Sequence, residues 1–256
     1  MLVGALKGMN VWVLKLPHPF QNDRMMAEKI IGIIGGVGPE ATLDLYKKII
    51  KATPAKTDQE HLRVIIDSNC KIPDRVKAIF ADGEDPAPVL IETAKNLERA
   101  GADLILIACN AAHYYYDAVV NHVSIPVLHI VEETVSYCSS KFPRFKTFGL
   151  LAGSSTVKLG LYPRGFERIE AKILNPRPED QGKVMGCIYK IKAGDLGAPV
   201  REELLGVARR LAHQGAEAII LGCTEVPLVL EDGDLPFPFI DPTRVLAEAG
   251  VTRARG

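Results

Sequence analysis

A chain of 256 residues, 47% hydrophobic and 24% charged, is long enough to bury a sizeable core as one large domain or two small ones. Its 31 Lys+Arg balance 31 Asp+Glu, for a formal net charge of zero. With no basic run, neither nucleic acid nor an anionic membrane surface has electrostatic support as a partner, which leaves a small molecule or a second copy of the chain.

Within the N-terminal extension, residues 1–28, the stretch MLVGALKGMNVWVLKLPHPF (1–20) is mildly apolar but interrupted by Lys7, Lys15 and His18, too broken for a signal peptide or a membrane span. The extension is read as either an added strand or residues ahead of a later start at Met25 or Met26. From Lys29 onward, strand-like and helix-like runs alternate. KIIGIIGG (29–36) is a buried strand, followed by a helix through PEATLDLYKKIIKAT (39–53) with Pro39 at a first helical position. HLRVIIDSN (61–69) is a second strand. Beyond the loop KIPDR and the proline-rich DGEDPAPV, a helix from about Val89 to Ala100 leads into GADLILIACN (101–110), a strand ending in Cys109. A helix over Tyr114–Val120 and the short strand IPVLHI (125–130) complete the first unit. Such βαβα alternation implies a parallel sheet with helices on both faces.

The second half repeats the first. IGIIGG (31–36) recurs as FGLLAG (148–153), a shift of 117 positions; GADLILIACN as GAEAIILGCT (215–224), a shift of 114; and IPVLHI as FPFIDP (237–242), a shift of 112. Three matches in the same order predict an α/β fold of two pseudo-symmetric lobes, each a small parallel β-sheet flanked by helices. The lobes are residues 29–132 and 133–239, with 240–256 packing back on the first. Ligands of open α/β sheets bind beyond the carboxyl ends of the strands, so the active site is expected in the interlobe cleft.

The cysteines stand at 70, 109, 138, 187 and 223. An odd, widely spaced set without a C-x-x-C pair argues against a disulfide framework and a structural zinc site, and for a reducing cytoplasm. His61, His113, His122, His129 and His213 show no metal-ligand spacing. Cys109 and Cys223 end equivalent strands, so their thiols are expected to face each other. One such group could remove a proton from a bound carbon while the other delivers one to the opposite face, inverting a stereocentre. Cysteine suits the task because its pKa of roughly 8.5 falls beside a helix N-terminus, and NAAHYYY and TEVPLVL read as opening such helices. A buried cysteine can instead be a small hydrophobe; repetition of the pair favours chemistry.

The motifs GIIGGVGPEAT (32–42), NCKIPDR (69–75), ACNAAH (108–113), IKAG (191–194), LGCTEVPL (221–228) and IDPT (240–243) resemble those of the pyridoxal-phosphate-independent aspartate/glutamate racemase superfamily, most closely its aspartate racemase branch. The resemblance runs from residue 29 to about 247. It implies a cofactor-free, metal-free, usually homodimeric enzyme that interconverts L- and D-aspartate, with Cys109 and Cys223 as its two acid/base residues. Glu225 stands where the glutamate racemase branch has His, which favours aspartate; glutamate or another acidic amino acid is the alternative. Arg75 and Lys192 match the family's carboxylate-holding positions, as a diacid requires. Asn110, Ala111, Thr224 and Glu225 beside the cysteines, Asn69 in the NCKIPDR motif, and Ser155 and Thr156 after the second lobe's first strand are further substrate-binding candidates. Two departures stand out: Ala111 replaces the family's usual Thr, and Cys70 its usual Pro.

Two other readings stay open. Gly36-Val-Gly38-Pro-Glu-Ala41 after a strand, with Asp67 ending the next one, fits a nicotinamide-binding unit, although the duplicated cysteine segment then has no role. A two-lobed, non-enzymatic amino-acid sensor would also present a cleft.

Overall fold

A computed structural model describes residues 28–256; the expectations for the preceding extension lie outside the described residues. Two parallel sheets organise the chain. The first holds β1 (Ile31–Gly35), β2 (Val64–Ser68) and β3 (Leu104–Ile107) in the order β2-β1-β3, and Val127 adds a parallel bridge to Ile105 beyond β3. The second holds β4 (Thr147–Leu150), β5 (Lys172–Leu174), β6 (Ala218–Ile220) and β7 (Phe239–Ile240) in the order β5-β4-β6-β7. With the Val127 bridge in the place of β7, the two orders are the same. The three repeated segments fall on equivalent strands, so the duplication seen in the sequence is a duplication of topology.

The local reasons are plain. Every residue of β1, β3 and β6 is buried, because helices cover both faces of a parallel sheet and such strands read as unbroken apolar runs. The edge strands β2 and β5 are only partly covered. Helix Ala87–Arg99 precedes β3 and helix Ala198–His213 precedes β6. Each is followed by a glycine in the left-handed region, Gly101 at φ 96° and Gly215 at φ 103°, the conformation that ends helices at low steric cost.

The two sheets share a core. One continuous cluster runs from Ile31, Ile33 and Leu106 through Val131 and Val135 to Phe148, Leu150 and Ile220, and takes in Leu246 and Val251 of the last helix, Pro242–Arg255. That helix packs against helices Pro39–Ala52 and Ile130–Lys141. Gly250 lets the helix lie close to β3, since a Cβ there would lie 2.9 Å from Leu106 Cδ1. Leu246 and Val251 each contribute about 2 kcal/mol by leaving water. All five cysteines are free. Among the described residues no helix is long and apolar enough to cross a membrane.

Candidate active site

The carboxyl ends of both sheets open on one cavity of about 440 Å³. The first sheet supplies the turn Gly36–Glu40 after β1 and Cys109–Ala111 after β3; the second supplies Gly153, Ser155 and Thr156 after β4 and Gly222–Glu225 after β6. Arg75 and Lys192 add two cations to the lining, and Asp74 and a third thiol, Cys70, lie beside Arg75 on the same wall. The cavity therefore brings together Cys109, Cys223, Arg75, Lys192, Asn110, Ala111, Thr224, Glu225, Ser155 and Thr156.

Asn69 is the exception. Its Nδ2 donates to Thr93 Oγ1 at 3.0 Å and its Oδ1 accepts from the Lys71 amide at 3.1 Å, so both ends of its amide are spent away from the cavity. Its backbone instead forms the wall against which the glycine turn closes. A Cβ on Gly36, whose φ is 76°, would fall 2.3 Å from the Asn69 carbonyl carbon. Asp67, the acid of the dinucleotide reading, accepts from Asn96 Nδ2 at 3.3 Å. Gly38 meets the other half of the chain: its Cβ would lie 2.5 Å from Glu225 Oε1. Close backbone approach accounts for both glycines.

The segments after the cysteines are 3₁₀ turns, Ala111–Tyr115 and Val226–Leu228, and the α-helix in the first half starts only at Tyr116. In each case the i+4 amide is unable to reach the cysteine carbonyl. His113 Nδ1 occupies the Cys109 carbonyl at 2.8 Å, and the His113 amide falls back on Asn110 O at 3.1 Å. Pro227 has no N–H, so the Cys223 carbonyl accepts from the Val226 amide at 3.0 Å. The expected thiol-lowering α-helix N-termini are thus not formed directly after either cysteine.

The electrostatics of Cys223 run the other way. Its Sγ donates to Glu225 Oε2 at 3.0 Å, and burial, together with the Glu225 charge and this hydrogen bond, holds the thiol well above the ordinary cysteine range. Glu225, 3% exposed, gives its other oxygen to Lys192 Nζ in an ion pair. Burial alone would lower the Lys192 pKa, but the Glu225 carboxylate outweighs it and the ammonium is held above its usual range. Lys192, Glu225 and Cys223 form one connected chain.

Among the described residues Arg75 has no carboxylate partner in an ion pair. Its Nη1 donates to Pro73 O at 2.9 Å and its Nη2 to Val37 O at 3.3 Å, while Nε is buried without a partner. Carbonyls orient the guanidinium without neutralising it, leaving an intact positive charge on the cavity wall. The sequence reading missed the apolar wall made by Met185, Ile188 and Tyr189. Its signal was available as i, i+3, i+4 spacing on one face of helix Pro178–Lys192, ending at Lys192 itself.

Comparison with known proteins identifies the family. The sequence model described as Asp/Glu/Hydantoin racemase matches residues 34–250. The broad specificity amino-acid racemase RacX of Bacillus subtilis is 28% identical over 235 residues, covering 87% of this chain and 97% of that one. The aspartate racemase of Picrophilus torridus superposes with a TM-score of 0.81 at 32% identity, covering 88% of this chain and 94% of the other. An aspartate racemase homologue from Pyrococcus horikoshii gives 0.72 at 29% identity, over 89% and 100% of the two chains. The chain belongs to the Asp/Glu/hydantoin racemase family and is a racemase.

Proposed function

We propose that the enzyme interconverts L- and D-aspartate without a cofactor, by proton transfer between Cα and the two thiols of Cys109 and Cys223, with glutamate or another acidic amino acid as the alternative substrate. The observation that carries this reading is the convergence, in one cavity, of two cysteines from equivalent strand ends with the unneutralised guanidinium of Arg75. A substrate carboxylate takes the open side of that guanidinium by charge-assisted hydrogen bonds. The second carboxylate of a diacid is met by Lys192, whose ammonium carries three N–H donors, of which Glu225 needs only one.

One sulfur, as thiolate, takes the Cα proton, and the electron pair left behind delocalises into the adjacent carboxyl group. The opposite thiol then gives its proton to the other face, so one S–H forms as the other breaks and the centre is inverted. Fixed donors around the carboxyl group stabilise the enolate-like charge. Burial and the Glu225 carboxylate keep Cys223 protonated at rest, so its proton is available for delivery to one face of the substrate. The homodimer, implied by the resemblance, and the cytoplasmic location, read from the cysteine pattern, belong to the same proposal.

A broader substrate range is the second reading. The apolar face of Met185, Ile188 and Tyr189 and the missing hydroxyl at Ala111 favour it, as does the likeness to a broad specificity racemase. Incubating purified enzyme, with no added cofactor, with single enantiomers of aspartate, glutamate and a panel of neutral amino acids separates the two. Conversion of aspartate to a racemic mixture is expected. No conversion of either acidic amino acid would overturn the acidic-substrate reading.

A further inference from the structure

We infer that Tyr162 is a positioning residue for the racemisation: by accepting no role of its own at the substrate and fixing the side-chain amide of Asn110, it aims that amide's N–H groups at the substrate carboxyl oxygen where negative charge develops. The inference rests on the racemase reading above and concerns a residue that lies in none of the cysteine, arginine or lysine motifs.

Three observations carry it. Tyr162 is fully buried, and its hydroxyl donates to Asn110 Oδ1 at 2.6 Å. Asn110 follows Cys109 directly, is 2% exposed and lines the cavity, yet its Nδ2 has no hydrogen-bond partner. A buried amide nitrogen without an acceptor costs about 1–3 kcal/mol, so one that persists at a cavity wall calls for a ligand oxygen. Third, the Tyr162 ring lies against the other cysteine loop. A Cβ on Gly222, the residue before Cys223, would come within 3.3 Å of Tyr162 Cε2.

One side chain of the second half therefore touches the loops on both sides of the reacting carbon. Its phenol, held neutral by burial, keeps its proton at any working pH and donates it to the Asn110 amide oxygen, which leaves the amide nitrogen facing away from Tyr162. Without the phenol hydroxyl the amide can turn over and present its oxygen to the substrate carboxyl group, a repulsive contact that grows as charge develops. The loss then falls on kcat rather than on KM.

Tyr162→Phe keeps the ring and its packing and removes only the donor. A double-mutant cycle with Asn110→Ala tests the assignment, read on whichever amino acid the wild type racemises fastest. Tyr162→Phe is expected to lower kcat about tenfold with KM little changed, and Asn110→Ala about a hundredfold. The double variant should be no slower than Asn110→Ala, because Tyr162 acts only through that amide. Additive losses, or a Tyr162→Phe loss confined to KM, overturn the positioning role while leaving the racemase reading intact. A fastest substrate that is not acidic overturns the acidic-substrate reading and leaves the cycle interpretable.

Discussion

The two cysteine loops have the same ancestry in the sheet and different chemistry at the sulfur. Both leave a fully buried strand, and both turn through a single 3₁₀ segment. One position after the cysteine, Asn110 and Thr224 are each 2% exposed. Two positions after, Ala111 holds the place that Glu225 holds in the other loop, and there the halves part. Cys223 donates to an acid that is itself tied to Lys192, while Cys109 has a neutral neighbour and a carbonyl bound by His113. The backbone repeat brings two sulfurs to one cavity; the residue two places on gives one of them, Cys223, a carboxylate partner. The proposed opposite-face chemistry uses the first feature, and the second sets the two sulfurs apart.

Removing either sulfur is the most severe break in this comparison. Cys109→Ser and Cys223→Ser should each slow racemisation by about 10²–10⁴-fold, because each face needs its own proton carrier. A variant of either kind with near-native turnover in a chiral assay would show that the loops are not a pair.

Acid should unsettle the first half through His113. Its Nδ1 is engaged with the Cys109 carbonyl and its Nε2 accepts from the Ile130 amide at 3.1 Å, so the ring is neutral with both nitrogens used. Burial, with His129 nearby, depresses its pKa to about 3. Between that value and the unfolded pKa of about 6.5 only the unfolded chain takes up the proton, so stability falls as pH falls through this window. The loss should reach about 2 kcal/mol by pH 5. Denaturant titrations at pH 7 and pH 5, compared between the wild type and His113→Gln, read it; equal acid losses in both proteins would remove His113 as the cause.

Glu225→Gln sharpens the asymmetry instead of breaking it. Without the carboxylate the thiol of Cys223 loses one of the influences raising its pKa, and burial remains. Alkylation of Cys223 should therefore begin at lower pH than in the wild type, followed by mass spectrometry of the labelled peptide. Turnover should fall about tenfold, as the proton donor loses the carboxylate that accepts its hydrogen bond and fixes its direction. An unchanged alkylation profile would detach Glu225 from Cys223.

The strands carrying the cysteines were legible because central parallel strands leave unbroken apolar runs, and because the runs occur twice. Motif position also brought Arg75 and Lys192 to the cavity. It failed for Asn69, since motif membership does not say which way a side chain turns, and the partner that captures its amide, Thr93, sits 24 positions away. The Lys192–Glu225 pair spans 33 positions and the Tyr162–Asn110 bond 52. Neither separation leaves a periodic trace, so only the folded chain reveals that Glu225 is occupied and that Asn110 is held. The expectation of helix N-termini failed at Pro227 and His113, where one missing N–H and one side-chain hydrogen bond shorten the turn.

The isotope content at Cα early in the reaction tests the central claim most directly. With a single protiated enantiomer of aspartate in heavy water, two opposed thiols should give product that carries deuterium from the first turnovers while unreacted substrate keeps its protium. Early product retaining protium, or substrate that gains deuterium as fast as product forms, would mean that one group serves both faces, and would contradict the pairing of Cys109 with Cys223.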